Sequence, residues 1–263
     1  MTDPVRLCRY RSLGGNSADW VRESIIHSKH YFASPLSFND PFDCRPNFEI
    51  QENRADLVKY FEGIIGRHMP ELPREARRAE ARRRVADQDC DPRLPKNMAG
   101  FRRMYHETVT SHVGVMCLSE VHDDILMWAH YADSHRGVCL IFDPGEEFFA
   151  TAQPVNYKKT RPRVNPVVNS YDEMLEAAMF TKSDHWAYER EWRILQYKNG
   201  SGVYTVPTAS LRQVILGAEI SEEDRTKVCQ WAAVAPNEIL IAAAALSKSE
   251  FKVEVPSVWR RDA

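Results

Sequence analysis

Glu189 and Glu191 stand two residues apart in the segment WAYEREWR, residues 186–193. On an extended strand this spacing puts both carboxylates and Arg193 on one face, with Tyr188, Trp192 and Ile194 on the other. The aromatic face is the natural core. A carboxylate pair facing a cleft suits glycosyl chemistry, because a negative charge stabilises an oxocarbenium-like transition state. A scaffold reading is equally simple, in which Arg193 neutralises both acids.

Three further clusters offer reactive or binding groups. In LCRYR, residues 7–11, strand alternation places Arg9 and Arg11 with Leu7 on one face and Cys8 with Tyr10 on the other. Guanidinium groups aimed into a cleft suit bidentate contact with phosphate, while on a surface they form salt bridges. NDPFD, residues 39–43, has turn chemistry and reads either as structure or as a pocket-lining loop anchored by Phe38 and Phe42. In MWAHYADSH, residues 127–135, Tyr131 near a helix end can wall a pocket and stack on an aromatic ring, and His130 reads as a core histidine or a ligand.

The elements that must position these groups follow from periodicity. Residues 5–11 read as a strand, and a helix follows from a cap at Asn16 or Ser17 with Trp20, Val21 and Ile25 as its apolar stripe. Residues 30–35 form a second short strand closed by Pro35, and 54–85 are helical. Residues 74–84 carry six arginines with two interspersed glutamates. That pattern fits a solvated face with i,i+4 pairs, and nucleic-acid contact is the sharper alternative. Residues 87–95 read as a loop, 113–119 as a strand, 123–132 as a helix and 137–142 as a buried strand. Ser170 and Glu173 form a capping box before a helix over 174–180. Residues 189–197 read as a strand, and Asn199-Gly200 predicts a hairpin into 203–206. The strand 211–216, a helix from Ser221 to about Ala233, and strands over 239–246 and 251–255 complete the chain.

Helices gather early and strands late, without βαβ alternation, which predicts an α+β fold. We expect a single domain over 1–263 with a helical Arg-rich insert at about 52–98. The net charge of −2 gives no global attraction to nucleic acid or membrane, and no apolar run is long enough for a membrane span. The six cysteines form no C-x-x-C pair, so no zinc motif is present and a reduced cytoplasm is expected. Nucleotide-binding glycine loops and hydrolase motifs are likewise missing.

The set LCRYRS, FASPLSFNDPFD, CLS, MWAHYADSHRG and TKSDHWAYEREWRI resembles the bacterial family known as domain of unknown function 2971. The resemblance runs from about residue 7 to 220 outside the Arg-rich insert. Some relatives are associated with phage defence, which implies a toxin or defence effector. In motif order the chain is also similar to ADP-ribosyltransferases, which hold NAD in the cleft of a split, mainly antiparallel sheet. That similarity implies Arg9 at the first-strand position, with Arg11 and Asn39 beside the ligand. Ser119 or Ser34 would take the serine role, Tyr131 the nicotinamide wall with His130 next to it, and Glu189 and Glu191 the E-x-E pair. Glu191 would then stabilise the oxocarbenium, and Glu189 would position or activate the acceptor. The chain lacks the S-T-S triplet of that superfamily and carries Cys117 where some relatives have tyrosine.

The resemblance thus implies an ADP-ribosyltransferase or NAD glycohydrolase that uses NAD as substrate without a metal. Its acceptor would be an unknown protein or nucleic acid, and a regulatory partner would restrain it. Two other readings remain: a nucleotide-binding sensor without turnover, and a metal-assisted nuclease or hydrolase using Asp40, Asp43, Glu189, Glu191 and His130.

Overall fold

The structure, a computed structural model, describes residues 6–197, 199–256 and 258–259. Its first strand, β1 (Leu7–Arg11), obeys the expected alternation: Leu7 enters the main core, while Cys8 and Tyr10 join a second cluster on the other face. Helix α1 (Ser17–His27) buries Val21 and Ile25 and leads into β2 (Lys29–Phe32). Asn16 stands at the cap position, but its side chain makes no capping bond.

The helical run expected over 54–85 is two helices, α2 (Arg54–His68) and α3 (Arg74–Ala86). Pro73 stands between them as the cap residue of α3, where its missing N–H costs nothing. Glu80 pairs with Arg83 and Arg84 on the α3 surface, as the i,i+4 reading required. A further helix that periodicity did not disclose, α4 (Pro95–His112), extends the helical segment up to the next strand, β3 (Gly114–Ser119). Side chains of all three helices pack with those of α6 (Tyr171–Met179) in one cluster that includes Leu57, Val85, Tyr105, Val109 and Leu175. The predicted capping box on α6 is formed by Ser170 and Glu173.

After β3 come α5 (Ile125–Tyr131), β4 (Val138–Phe142) and β5 (Gln153–Pro154). The chain continues through β6 (Glu191–Gln196), β7 (Gly202–Thr205), β8 (Leu211–Leu216), α7 (Glu222–Ala233) and β9 (Leu240–Ala243). Seven strands form one sheet in the order β9-β8-β4-β1-β3-β6-β5, antiparallel at every pairing except β8 with β9. All of β4 is buried, as its unbroken VCLIF run predicts for a central strand.

The sheet splits at its centre. β1 pairs with β4 along its whole length, from Leu7 opposite Phe142 to Arg11 opposite Val138. It meets β3 only at Cys8 opposite Ser119. Beyond that bridge β3 takes a different partner, exchanging two 2.9 Å backbone bonds between Val115 and Ala33. The expected α+β architecture with a split, mainly antiparallel sheet is therefore the one the chain adopts. Among the described residues no helix is long and apolar enough to cross a membrane.

Two strand expectations are corrected. Asn199-Gly200 does not close a hairpin: β7 pairs antiparallel with β2 instead, while β6 pairs with β3 along its length and with β5 at Trp192 and Arg193. Glu189 belongs to a 3-10 turn, Asp184–Glu189, and the strand begins at Glu191. Arg190 between them takes a left-handed conformation (φ 42°), a conformation that favours glycine, and this turns the chain into β6.

Candidate active site

A cavity of about 290 Å³ occupies the split between β1 and β3. β1 contributes Arg9 and Arg11, the loop after β2 contributes Asn39 and Asp43, and β3 contributes Cys117 and Ser119. Tyr131 closes one wall, and Lys182, Glu189 and Glu191 form another. From residue 191 the alternation holds. Trp192 and Ile194 pack into the main core, while Glu191 and Arg193 share the opposite face, which is buried as well. Glu189 reaches the same place by a different route: the 3-10 turn swings its carboxylate back toward that of Glu191.

Lys182 is what joins the two acids. Its ammonium contacts Glu189 Oε2 at 2.5 Å, Glu191 Oε2 at 3.0 Å and Asp43 Oδ2 at 3.7 Å. Arg193, fully buried, donates from Nε to Glu191 Oε1 at 2.8 Å and from Nη2 to both Asp43 oxygens at 2.8 and 3.0 Å. Its Nη1 donates to the Met179 carbonyl at 2.6 Å. Tyr131 donates its hydroxyl to Glu189 Oε1 at 2.6 Å, and the Glu191 amide donates to the Tyr157 hydroxyl at 2.7 Å.

Charge counting explains how these groups divide the protons. Three carboxylates face two cations, so one acid is under-neutralised. Glu191 is the favoured one: burial pushes its pKa up, but Arg193 and Lys182 outweigh burial and hold it at about 2. Glu189 is the other. Burial raises its pKa, and the repulsion of Glu191 adds to that against the pull of Lys182. Lys182 itself is pushed down by burial but raised further by Glu191, Glu189 and Asp43, so it stays charged. Burial, and then Glu189, raises the Tyr131 hydroxyl, which remains a donor. One wall of the cavity therefore carries a fixed carboxylate and a second one able to exchange a proton.

The opposite wall is cationic and unsatisfied. Arg9 donates from Nη2 to the Tyr31 carbonyl at 2.6 Å, while its buried Nη1 has no partner. Arg11 is half-buried and forms no side-chain hydrogen bond or ion pair among the described residues. Burial lowers the pKa of both, and Arg11 lowers Arg9 further. His30, buried nearby, is pushed well down by burial and then by Arg9 and Arg11, so it stays neutral and adds no charge. Two guanidinium groups without counterions at the edge of a cavity favour an anion.

The cavity thus gathers Arg9, Arg11, Asn39, Ser119, Tyr131, Glu189 and Glu191. Ser119 is occupied with backbone: its Oγ donates to the Glu189 carbonyl at 2.6 Å and accepts from the Val121 amide at 3.1 Å. It clamps the 3-10 turn to β3. Ser34 and His130 do not line the cavity. Ser34 precedes the short turn Pro35–Ser37, and its buried hydroxyl has no partner among the described residues. His130 lies on the exposed side of α5, because Met127 and Tyr131, four residues apart, take the inner side. Asp40 accepts from Trp186 Nε1 at 2.9 Å and serves as an anchor for that ring. Among the described residues no group of three or more His, Cys, Asp or Glu side chains is arranged to hold a metal ion.

Lys182 was not singled out from sequence. TKS carries no spacing signal, and the lysine enters the cavity because its short strand, Thr181–Ser183, pairs in parallel with Asn156–Lys158. The only available hint was arithmetic, since two core-facing glutamates and Asp43 exceed the charge of Arg193.

No curated protein and no solved structure matches the chain in comparison. A family model does match: residues 127–194 fit the one described as "Protein of unknown function (DUF2971)". That match begins with the cavity-lining Met127 on α5 and ends one residue past Arg193, so it spans Tyr131, Lys182, Glu189 and Glu191. The MWAHYADSHRG and TKSDHWAYEREWRI motifs both lie inside the matched segment, and so does a large part of the site described above.

Proposed function

We propose that this protein is an ADP-ribosyltransferase-like enzyme that cleaves the N-glycosidic bond of NAD and passes ADP-ribose to an acceptor or to water. One observation carries the reading: a single cavity sets two uncompensated arginines against a buried pair of carboxylates. NAD has matching chemistry, a diphosphate at one place and a ribose carbon that becomes cationic at another. In this reading Arg9 and Arg11 hold the diphosphate, and Tyr131 packs against nicotinamide. Glu191, ionised at neutral pH, stabilises the oxocarbenium. Glu189 takes the acceptor's proton, with Tyr131 and Lys182 fixing its position.

A second reading has its own observation. Both glutamates are already engaged by Lys182 and Arg193, an arrangement that suits a nucleotide sensor which binds without turnover. Incubation with NAD labelled in nicotinamide separates the two. Release of label by the wild type, lost in Glu191→Gln and strongly reduced in Glu189→Gln, supports the enzyme. Saturable NAD binding without release assigns the sensor. Absence of both binding and release rejects either form of the NAD reading.

A further inference from the structure

A second groove, of about 510 Å³, lies beside the cavity, and Asn39 and Lys182 line both. One rim belongs to the segment YKKTRPR, residues 157–163, which holds four cations and no acid. Lys158, Lys159 and Arg161 from this segment line the groove and are exposed. Neither lysine has an ion-pair partner among the described residues. In a chain of net charge −2 this is a local excess of positive charge.

The facing rim is aromatic. Phe42 is 63% exposed, and the Arg161 guanidinium sits 6.0 Å from its ring centre. That guanidinium is fixed by bonds to the carbonyls of Arg45 at 2.8 Å and Pro46 at 3.0 Å. Trp186 is held by its bond to Asp40, with the Lys182 ammonium 5.1 Å from its ring centre. Aromatic rings fixed along a basic groove are platforms on which unpaired bases stack while the cations follow the phosphates. An acidic peptide would use the cations and leave the rings idle.

We propose that this groove binds single-stranded nucleic acid and presents it to the cavity as the acceptor of ADP-ribose. The transfer rests on the NAD-cleaving reading above, whereas the binding does not. In the transfer, the bond between ribose C1′ and the nicotinamide nitrogen breaks, and its electron pair leaves with neutral nicotinamide. An amino or hydroxyl group of the nucleic acid forms the new bond to C1′, and its proton passes to the Glu189 carboxylate.

The test is fluorescence anisotropy with short labelled single-stranded RNA and DNA oligonucleotides, alongside nicotinamide release from NAD. Wild-type protein should bind at least one of them. With about three phosphate contacts, log K should fall with log salt at a slope of about −2. Lys158→Glu with Lys159→Glu should weaken binding at least tenfold and flatten that slope. Phe42→Ala should weaken it about tenfold with the slope unchanged. Neither variant should alter nicotinamide release to water. The groove assignment fails if no oligonucleotide binds, if the variants bind like wild type, or if polyglutamate binds as tightly. Displacement of the oligonucleotide by ADP-ribose alone also overturns it, by giving the groove to the adenosine half of NAD. Oligonucleotide binding in a protein that never releases nicotinamide upholds the groove and refutes the transfer.

Discussion

Replacing Lys182 with methionine removes one charge while keeping an unbranched apolar stem in a site where the lysine side chain is only 6% exposed. The wild-type cluster holds Glu189, Glu191 and Asp43 against Lys182 and Arg193, a formal balance of −1. The variant leaves −2, with Arg193 already committed to Asp43 and Glu191. Breaking a buried pair by deleting one partner costs about 3–5 kcal/mol. Here the molecule has a partial escape, because Glu189 can take up a proton. Its pKa is already raised in the folded state, and losing Lys182 removes the main force opposing that rise. A folded-state pKa above the unfolded one means that the native form binds the extra proton. The stability this lends is complete below the unfolded value and disappears as pH climbs through the folded one. Lys182→Met should therefore cost about 3–5 kcal/mol near pH 8, and the deficit against wild type should shrink on approaching pH 5. Urea unfolding of both proteins across that range measures it directly. A deficit below about 1 kcal/mol, or one that does not change with pH, would show that Lys182 is not the neutralising centre of the cluster.

Glu191 predicts the opposite trend at lower pH. Holding it at about 2 instead of its ordinary 4.5 corresponds to about 3 kcal/mol of stability, present above pH 4.5 and lost as pH falls toward 2; Glu191→Gln should flatten that part of an acid-unfolding curve. Ser119→Ala removes the clamp on the 3-10 turn and should cost about 1–2 kcal/mol in urea unfolding. On the proposed NAD reading, nicotinamide release in folded protein should persist in that variant, since the hydroxyl is engaged with backbone. Arg11→Met should leave thermal unfolding nearly unchanged, because no ion pair is lost; on the proposed NAD reading it should also raise the KM for NAD at least tenfold. Gly137→Ala should be among the most damaging single changes, because its Cβ would stand 2.1 Å from the Arg11 carbonyl oxygen; circular dichroism and soluble yield report the outcome.

Much of the scaffold was legible because its residues obey simple periods. LCRYR alternates, VCLIF is unbroken, and Ser170 with Glu173 forms the predicted box. α4 carries no strong signal because PKNMAGFRRMYHETVTSH holds Gly100 and the β-branched run 108–110, all poor in helix propensity, and no sharp apolar stripe. The Asn199-Gly200 signal failed for a tertiary reason, since a turn signal says nothing about a distant strand, here β2, that competes for the same partner. The site was half legible. Glu189, Glu191, Arg9, Arg11 and Tyr131 were found from residue type and motif order and do share one cavity. The strand model of residues 189–193 reached the right face for Glu191 and Arg193 and the wrong geometry for Glu189. Lys182 needed three dimensions, because a lone lysine in TKS looks like any surface lysine until its partners are counted.

The single backbone bridge between β1 and β3 has a mechanical side. On one side of it lie β9, β8, β4 and β1, and on the other β3, β6 and β5, so the two halves of the sheet share almost no direct ladder at their seam. One hydrophobic cluster joins Leu7 and Leu140 of one half to Met116, Leu118 and Ile194 of the other, and the cavity occupies the split itself. A molecule filling that space would touch Arg9 and Arg11 on one half and Glu191 on the other, and so would act as mortar between them. The amide hydrogen of Cys117, which faces the seam as that of Val115 does, should be the central-sheet position whose exchange slows most when the cavity is filled, whatever its occupant proves to be.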